Sequence, residues 1–123
     1  MKMKREDFIK NLETASPEID EQHHLEVLQR SIDAQAAANP QNPAGHMNLI
    51  IVMEELSELQ KEISKGLRGK EDIDAILEEV ADVSIGLDYI KMIYGIDDEM
   101  IRKAINVKMD RMEGILDRDG IMK

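Results

Sequence analysis

The chain has 123 residues, a formal net charge of -10 and no cysteine. The length suits a single domain, and the lack of cysteine excludes disulfides and thiolate metal sites. The negative charge argues against a nucleic-acid duplex or an anionic membrane surface as partner, because both need a basic surface. Aromatic residues make up only 2% of the chain, while nine Met residues and many Leu and Ile supply aliphatic volume. This composition favours an all-α fold, a four-helix-type bundle completed by oligomerisation.

Caps and breaks in the sequence predict five helices, at residues 5–13, 17–38, 46–67, 72–94 and from Asp97 or Asp98 to about 117. Ser16 is the expected N-cap of the second helix, with Pro17 at its first position. The segment 39–45 is rich in Pro and Asn and is a connector. We expect a single domain over 1–123, with N-terminal helices and connector in 1–45 and motif-bearing helices in 46–118. No apolar run has membrane length, so we expect a cytoplasmic protein.

Two pairs of acidic residues, Glu55 with Glu58 and Glu79 with Asp82, stand three residues apart on successive predicted helices. Residues three apart share a helix face, so two packed helices could aim four carboxylates at one point. Clustered carboxylates repel one another unless a cation lies between them, and Mg²⁺ takes oxygen ligands and accompanies phosphate chemistry. Glu79 lies partly within the apolar face of its helix, where a carboxylate is costly unless it is paired or metal-bound. Gly86, one turn after Asp82, leaves room beside these acids.

A simpler interpretation is that the acids are solvated. Lys61 and Lys65 could pair with Glu58 and Glu62 along the helix, and either acidic pair alone would ordinarily belong to a solvated face. Two pairs on successive helices, one of them leaning into the core, favour a site. A di-iron carboxylate bundle is set aside because it needs an E-x-x-H pair on each of two helices, and the sequence has only one such pair, Glu21 with His24.

Three segments together resemble a known family. EELSEL at 54–59 and EEVADV at 78–83 are similar to the signature of the all-α nucleoside triphosphate pyrophosphohydrolases of the MazG type, E-x-x-E followed after a gap by E-x-x-D. NVKMDR at 106–111 looks like the downstream N-x-K-x-x-R stretch of the same family, with Lys103 one turn before it. The resemblance covers residues 46–114, roughly, and does not extend to the N-terminal third.

The resemblance implies Mg²⁺-dependent hydrolysis of nucleoside or deoxynucleoside triphosphates to monophosphate and pyrophosphate, by a homodimer or homotetramer, with Mn²⁺ as the alternative ion. It implies that the metal ligands are Glu55, Glu58, Glu79 and Asp82. The expected catalytic residues are Glu58, as the proton acceptor, with Lys108 and Arg111. The expected substrate-binding residues are Asn48, Tyr89, Lys103, Asn106, Lys108 and Arg111. Asn48 stands where many relatives have Gln, and the base-stacking aromatic residues of several relatives have no clear counterpart.

Other interpretations stay open. The chief alternative, from a different class, is a non-catalytic helical oligomerisation module whose acids are merely solvated. Phosphoribosyl-ATP pyrophosphohydrolase is a related activity that ranks lower, because nothing in the sequence points to a ribosyl substrate. Tyr94 is expected to pack in the core. The three histidines, His23, His24 and His46, are expected at the surface or at an interface.

Overall fold

The computed structural model describes residues 3–120 of the chain. Their five helices are α1 (Arg5–Leu12), α2 (Glu21–Ala38), α3 (His46–Leu67), α4 (Ile73–Tyr94) and α5 (Asp98–Asp119). This range contains no strand, so the all-α class predicted from the sequence is confirmed. The outermost ends of the predicted domain, residues 1–2 and 121–123, lie outside the described residues.

The start of α2 differs from the prediction. The helix begins at Glu21 rather than at Pro17, and Asp20 is its N-cap, since its side chain accepts a hydrogen bond from the backbone N–H of His23 at 3.0 Å. Ser16 instead accepts the backbone N–H of Glu18 at 3.1 Å, which closes a local turn. Ser and Asp are similarly good N-caps, so the local sequence does not decide between the two starts.

The end of α3 falls where the sequence predicts it. Gly69 has a φ of 81°, a left-handed conformation that glycine adopts without a steric penalty. Lys70 N–H donates to the carbonyl of Lys65 at 2.9 Å, and Gly69 N–H donates to the carbonyl of Gly66 at 3.0 Å. These two bonds form a Schellman motif, which satisfies the last carbonyls of the helix.

The buried core brings α2, α3 and α4 together. α2 packs against α3, and Asn48 Nδ2 on α3 donates to Ser31 Oγ on α2 at 3.3 Å. α3 meets α4 at Gly86, where an added Cβ would lie only 3.2 Å from Cγ1 of Val52. Among residues 3–120 the buried apolar side chains are Leu28, Ile32, Val52 and Ala75. This core is small for a chain of 123 residues.

Many large apolar side chains of α3 and α4 are exposed. The buried positions of α3 are Asn48, Val52 and Glu55, whereas the apolar Met53, next to Val52, is 69% exposed. Tyr94, expected to pack in the core, is 64% exposed. We use the name α3–α4 apolar surface for the exposed residues Met53, Leu56, Ile63, Leu67, Ile73, Leu77, Val80 and Leu87.

The chain divides between Ile90 and Lys91, within α4, into two compact units. The second unit contains the last turn of α4 and all of α5. Within it, Lys91 Nζ lies 3.2 Å from Asp98 Oδ1, and Asp97 caps α5 by accepting the backbone N–H of Met100 at 2.8 Å. No residue of α5 is buried. A single domain over 1–123 stays a prediction.

None of the helices in the described range combines the length and the apolar character that crossing a bilayer requires.

Candidate metal centre

Three of the predicted metal ligands lie together where α3 passes α4. One carboxylate oxygen from each of Glu55, Glu79 and Asp82 lies within 4.8 Å of the other two. Glu79 is 4% exposed and Glu55 8% exposed, while Asp82 is half-buried. The cluster therefore joins residues from two helices and places at least two charges away from bulk water.

The packing of α3 on α4 explains why these residues meet. One turn after Val52 along α3 comes Glu55, and one turn before Gly86 along α4 comes Asp82, with Glu79 a further turn back. Both steps lead away from the Val52–Gly86 contact to the same cluster, so the two helices run antiparallel. Because Gly86 has no side chain, the helices approach closely one turn away from the acids.

Glu58, the fourth predicted ligand, does not join this cluster. It follows Glu55 by three residues, which rotates it roughly 60° further from the buried face of α3. Its side chain is 41% exposed, and Glu58 Oε1 lies 4.0 Å from Nζ of Lys61. In the same manner, Glu62 Oε1 lies 3.2 Å from Nζ of Lys65. The ion pairs expected for solvated acids thus occur at Glu58 and Glu62. The other three predicted metal ligands form the cluster.

The chemistry of the cluster suits a hard divalent cation. Its donors are carboxylate oxygens alone, which is the ligand type of Mg²⁺ and Mn²⁺. Carboxylates at such short separations, partly removed from water, repel one another strongly. A cation bound by Glu55, Glu79 and Asp82 would offset this repulsion, so the residues present fit the predicted ion.

Asn48 lies on the same buried face of α3, two turns before Glu55. It is 2% exposed, and its Nδ2 donates to Ser31. Its Oδ1 has no hydrogen-bond partner within the described part of the chain. Seven residues of helix separate Asn48 from Glu55, or about 10 Å along the axis. A buried carbonyl without a partner is uncommon in folded proteins. The distance from this carbonyl to the clustered acids is short enough for one nucleotide to span.

Tyr89, also predicted to bind substrate, is half-buried on α4. It follows Gly86 by three residues, on the side away from Asp82. Because α3 and α4 run antiparallel, Tyr89 and Asn48 both lie beyond the Val52–Gly86 contact, at the end of the helix pair opposite the acids. The structure thus separates an acidic end of this helix pair from an end with amide and phenol groups.

The remaining predicted substrate-binding residues lie on α5 in the second unit. All four, Lys103, Asn106, Lys108 and Arg111, are exposed, and Lys103 Nζ lies 3.3 Å from Glu99 Oε1. Residues two apart on a helix face nearly opposite directions, so Asn106 and Lys108 point away from each other. Lys108 and Arg111, three residues apart, share a face. Their binding of phosphate stays a prediction.

Sequence reasoning missed a charged contact next to the cluster. Glu78 is buried, and its Oε1 accepts a hydrogen bond from Nε of Arg5 at 3.0 Å. The Glu78-Glu79 doublet is visible in the sequence, but Arg5 lies 73 positions away. No local periodicity links residues so distant, and only the folded chain reveals the pair.

Comparison of the chain with protein-family models, with curated proteins and with solved structures gives no significant match. A functional assignment therefore depends on the geometry of Glu55, Glu79 and Asp82 and on the motifs around them.

Proposed function

We propose that the chain is an Mg²⁺-dependent pyrophosphohydrolase, which cleaves nucleoside or deoxynucleoside triphosphates to monophosphate and pyrophosphate. The observation that carries the proposal is the convergence of the Glu55, Glu79 and Asp82 carboxylates within 4.8 Å. These residues occupy the E-x-x-E and E-x-x-D segments through which residues 46–114, roughly, resemble the MazG-type enzymes. Phosphate is the substrate chemistry that a carboxylate-bound Mg²⁺ most often accompanies.

In the proposed reaction, Glu55, Glu79 and Asp82 hold Mg²⁺. When bound, the ion polarises the α-phosphate and lowers the pKa of the attacking water. The water oxygen forms a bond to the α-phosphorus, and the bond from this phosphorus to the oxygen bridging to the β-phosphorus breaks. Glu58, one turn after Glu55 and half-exposed, accepts the proton of the water.

Other residues bind the substrate in this proposal. Lys108 and Arg111 meet the phosphate oxygens, and the planar guanidinium can donate two parallel hydrogen bonds. Asn48 and Tyr89 contact the nucleoside. The unpartnered Oδ1 of Asn48 supports its role, because an N–H of the nucleoside would supply the missing hydrogen bond.

Self-association is part of the proposal, as a homodimer or homotetramer located in the cytoplasm. The α3–α4 apolar surface supports it. Relative to the Val52–Gly86 contact, a rotation of about 100° per residue places the exposed residues of α3 and those of α4 on the same side of the antiparallel pair. Exposed apolar side chains in such number mark an interaction surface more often than a free one.

The deciding experiment incubates the full chain and Mg²⁺ with each of the common ribo- and deoxynucleoside triphosphates and measures the pyrophosphate that is released. We expect at least one substrate to be hydrolysed and the Asp82→Asn variant to lose this activity. Asp74→Asn, an exposed acid on the same helix, is the matched control and should remain active. No release from any triphosphate, or full activity of Asp82→Asn, would refute the proposal.

A non-catalytic oligomerisation module is the second candidate, and the exposed α3–α4 apolar surface favours it. This candidate predicts that Mg²⁺ leaves the melting temperature unchanged. It also predicts that Glu79→Gln raises the stability or leaves it unchanged with and without the ion.

A further inference from the structure

α1 contacts α4 through one arginine that lies outside the proposed site. Arg5 Nε donates to Glu78 Oε1 at 3.0 Å, and Arg5 Nη1 lies 3.6 Å from Asp72 Oδ2. Arg5 is itself only partly exposed, with a side-chain exposure of 37%. A single guanidinium thus bridges two carboxylates at the start of α4, and its planar fork of donors suits such bridging better than an ammonium does.

The two carboxylates have structural roles at the beginning of α4. Asp72 caps the helix, because its Oδ1 accepts the backbone N–H of Ala75 at 3.1 Å. Glu78 lies less than two turns later and is buried. Its immediate neighbour in the chain is Glu79, and Asp82 follows one turn further along. Arg5 therefore binds the segment of α4 that carries two of the three clustered acids.

The burial of Glu78 makes this contact important. A buried carboxylate that loses its cationic partner is strongly destabilising, because its charge stays desolvated without compensation. Without Arg5, the Glu78 carboxylate would be desolvated and unpaired, and turning or unwinding the first turns of α4 would bring it to water. Any such movement displaces Glu79, which shares the same backbone.

We propose that Arg5 is a positioning residue for the acidic cluster. It fastens Glu78 and Asp72, so that the first turns of α4 hold Glu79 and Asp82 opposite Glu55. α1 thereby belongs to the site although it contributes no ligand to it. The consequence for catalysis rests on the proposed function, whereas the consequence for the position of α4 does not.

The first test is hydrogen exchange of the metal-free full chain, followed by mass spectrometry. In Arg5→Gln we expect amides of residues 73–83 to exchange about tenfold faster than in the wild type, because local opening exposes them. Arg5→Lys keeps the charge but loses the planar donors of the guanidinium, so it should give an intermediate increase in exchange. This variant serves as the test if Arg5→Gln does not fold. Lys10→Gln, an exposed residue of α1, is the control and should match the wild type.

Rescue distinguishes positioning from simple anchoring of α1. Arg5→Gln/Glu78→Gln should restore slow exchange at 73–83, because a buried amide does not need a cation. If Arg5→Gln accelerates exchange only in residues 5–12, the proposal is overturned.

The second test is calorimetric titration with Mg²⁺. We expect about tenfold weaker binding in Arg5→Gln and near wild-type binding in the double variant. Unchanged affinity in Arg5→Gln would overturn the positioning role, even with a lower melting temperature. If the wild type binds no Mg²⁺ while exchange at 73–83 responds as expected, the proposed function fails and the role of Arg5 in placing α4 stands.

Discussion

Glu54 and Glu55 are adjacent acids with opposite surroundings, and together they offer a test of the cluster. Glu55 is buried and is one of the three clustered carboxylates, whereas Glu54 is exposed. In the wild type, Mg²⁺ at about 100 times its dissociation constant should raise the free energy of unfolding by about 2.7 kcal/mol. Glu55→Gln should lose most of this gain, because a neutral amide replaces one of three charged ligands. Glu54→Gln should keep it, as measured by urea unfolding with and without the ion. Equal Mg²⁺ stabilisation of the wild type and Glu55→Gln would show that Glu55 is not a ligand.

Asn48 presents a second residue-scale prediction, in which stability and activity separate. Asn48→Leu removes the unpartnered Oδ1, whose burial costs about 1–3 kcal/mol, and also the Nδ2 hydrogen bond to Ser31, which contributes about 1 kcal/mol. On balance the variant should be as stable as the wild type or more stable by about 1 kcal/mol. The same variant should raise KM for the triphosphate, because the nucleoside loses an acceptor. Ser31→Ala is the contrasting variant. It removes the partner of Nδ2, leaves the amide in place and should lower the stability by about 1 kcal/mol. If Asn48→Leu lowers both stability and activity, the amide supports the fold and not the substrate.

The residues of the centre could be predicted from the sequence only as far as helix spacing reaches. The spacing of Glu79 and Asp82 put both on one side of α4, where the structure places them. Gly86 was expected to leave room beside these acids, but Val52 of α3 packs against the position of its missing side chain. The same spacing put Glu58 beside Glu55. Which member of an i,i+3 pair turns inward depends on the rotation of the helix against its neighbours, and tertiary packing sets that rotation. Arg5 had no local signal at all.

At the scale of elements, the contact between α3 and α4 depends on a glycine. A Cβ at Gly86 would lie 3.2 Å and 3.3 Å from the two Cγ atoms of Val52, closer than ordinary van der Waals contact, and Val52 is stiff at χ1. Gly86→Ala gains about 1 kcal/mol of helix propensity but crowds this contact. In the wild-type background we therefore expect little gain or a loss of stability.

A double-mutant cycle with Val52→Ala tests this explanation. In the Val52→Ala background the crowding is gone, so Gly86→Ala should stabilise the fold by about 1 kcal/mol. Gly114→Ala on α5, where an added Cβ meets nothing within 4 Å, should give a similar gain and serves as the control. Urea unfolding of the four variants measures the coupling. Equal effects of Gly86→Ala in both backgrounds would show that Val52 does not limit the approach of α3 to α4.

Helix boundaries were predictable where the chain offers one strong signal. The glycines after α3 and α4 ended these helices as expected, because Gly69 and Gly95 adopt positive φ values. The start of α2 was predicted too early, since Ser16 and Asp20 are both good N-caps. Residues 17–27 are all exposed, so burial gives no second signal for the true start. The faces of the helices were harder to predict. Apolar periodicity gives a stripe, but it does not say whether the stripe packs within the chain or remains exposed.

For the whole molecule, the balance between buried and exposed apolar side chains leads to a prediction about assembly. Across residues 3–120 only four apolar residues are buried, while Met53, Leu56 and Leu87 belong to an exposed surface on α3 and α4. A second copy of the chain could bury this surface, with like patches meeting across a twofold axis. The melting temperature should then rise with protein concentration, because association stabilises the folded state by mass action.

Introducing a charge into the α3–α4 apolar surface would decide whether self-association uses it. Leu56→Glu and Leu87→Glu each place a carboxylate where the apolar contact is expected, on a chain that already carries a net charge of -10, so repulsion adds to the loss of burial. We expect sedimentation to show a dimer or tetramer for the wild type and at least tenfold weaker association for each variant. Ile19→Glu replaces an apolar residue that is more exposed than Leu56 and Leu87 but lies before α2, and it should associate like the wild type. A wild type that sediments as a 14.0 kDa monomer at every concentration, or association unaffected by both α3–α4 variants, would rule out this surface as the interface.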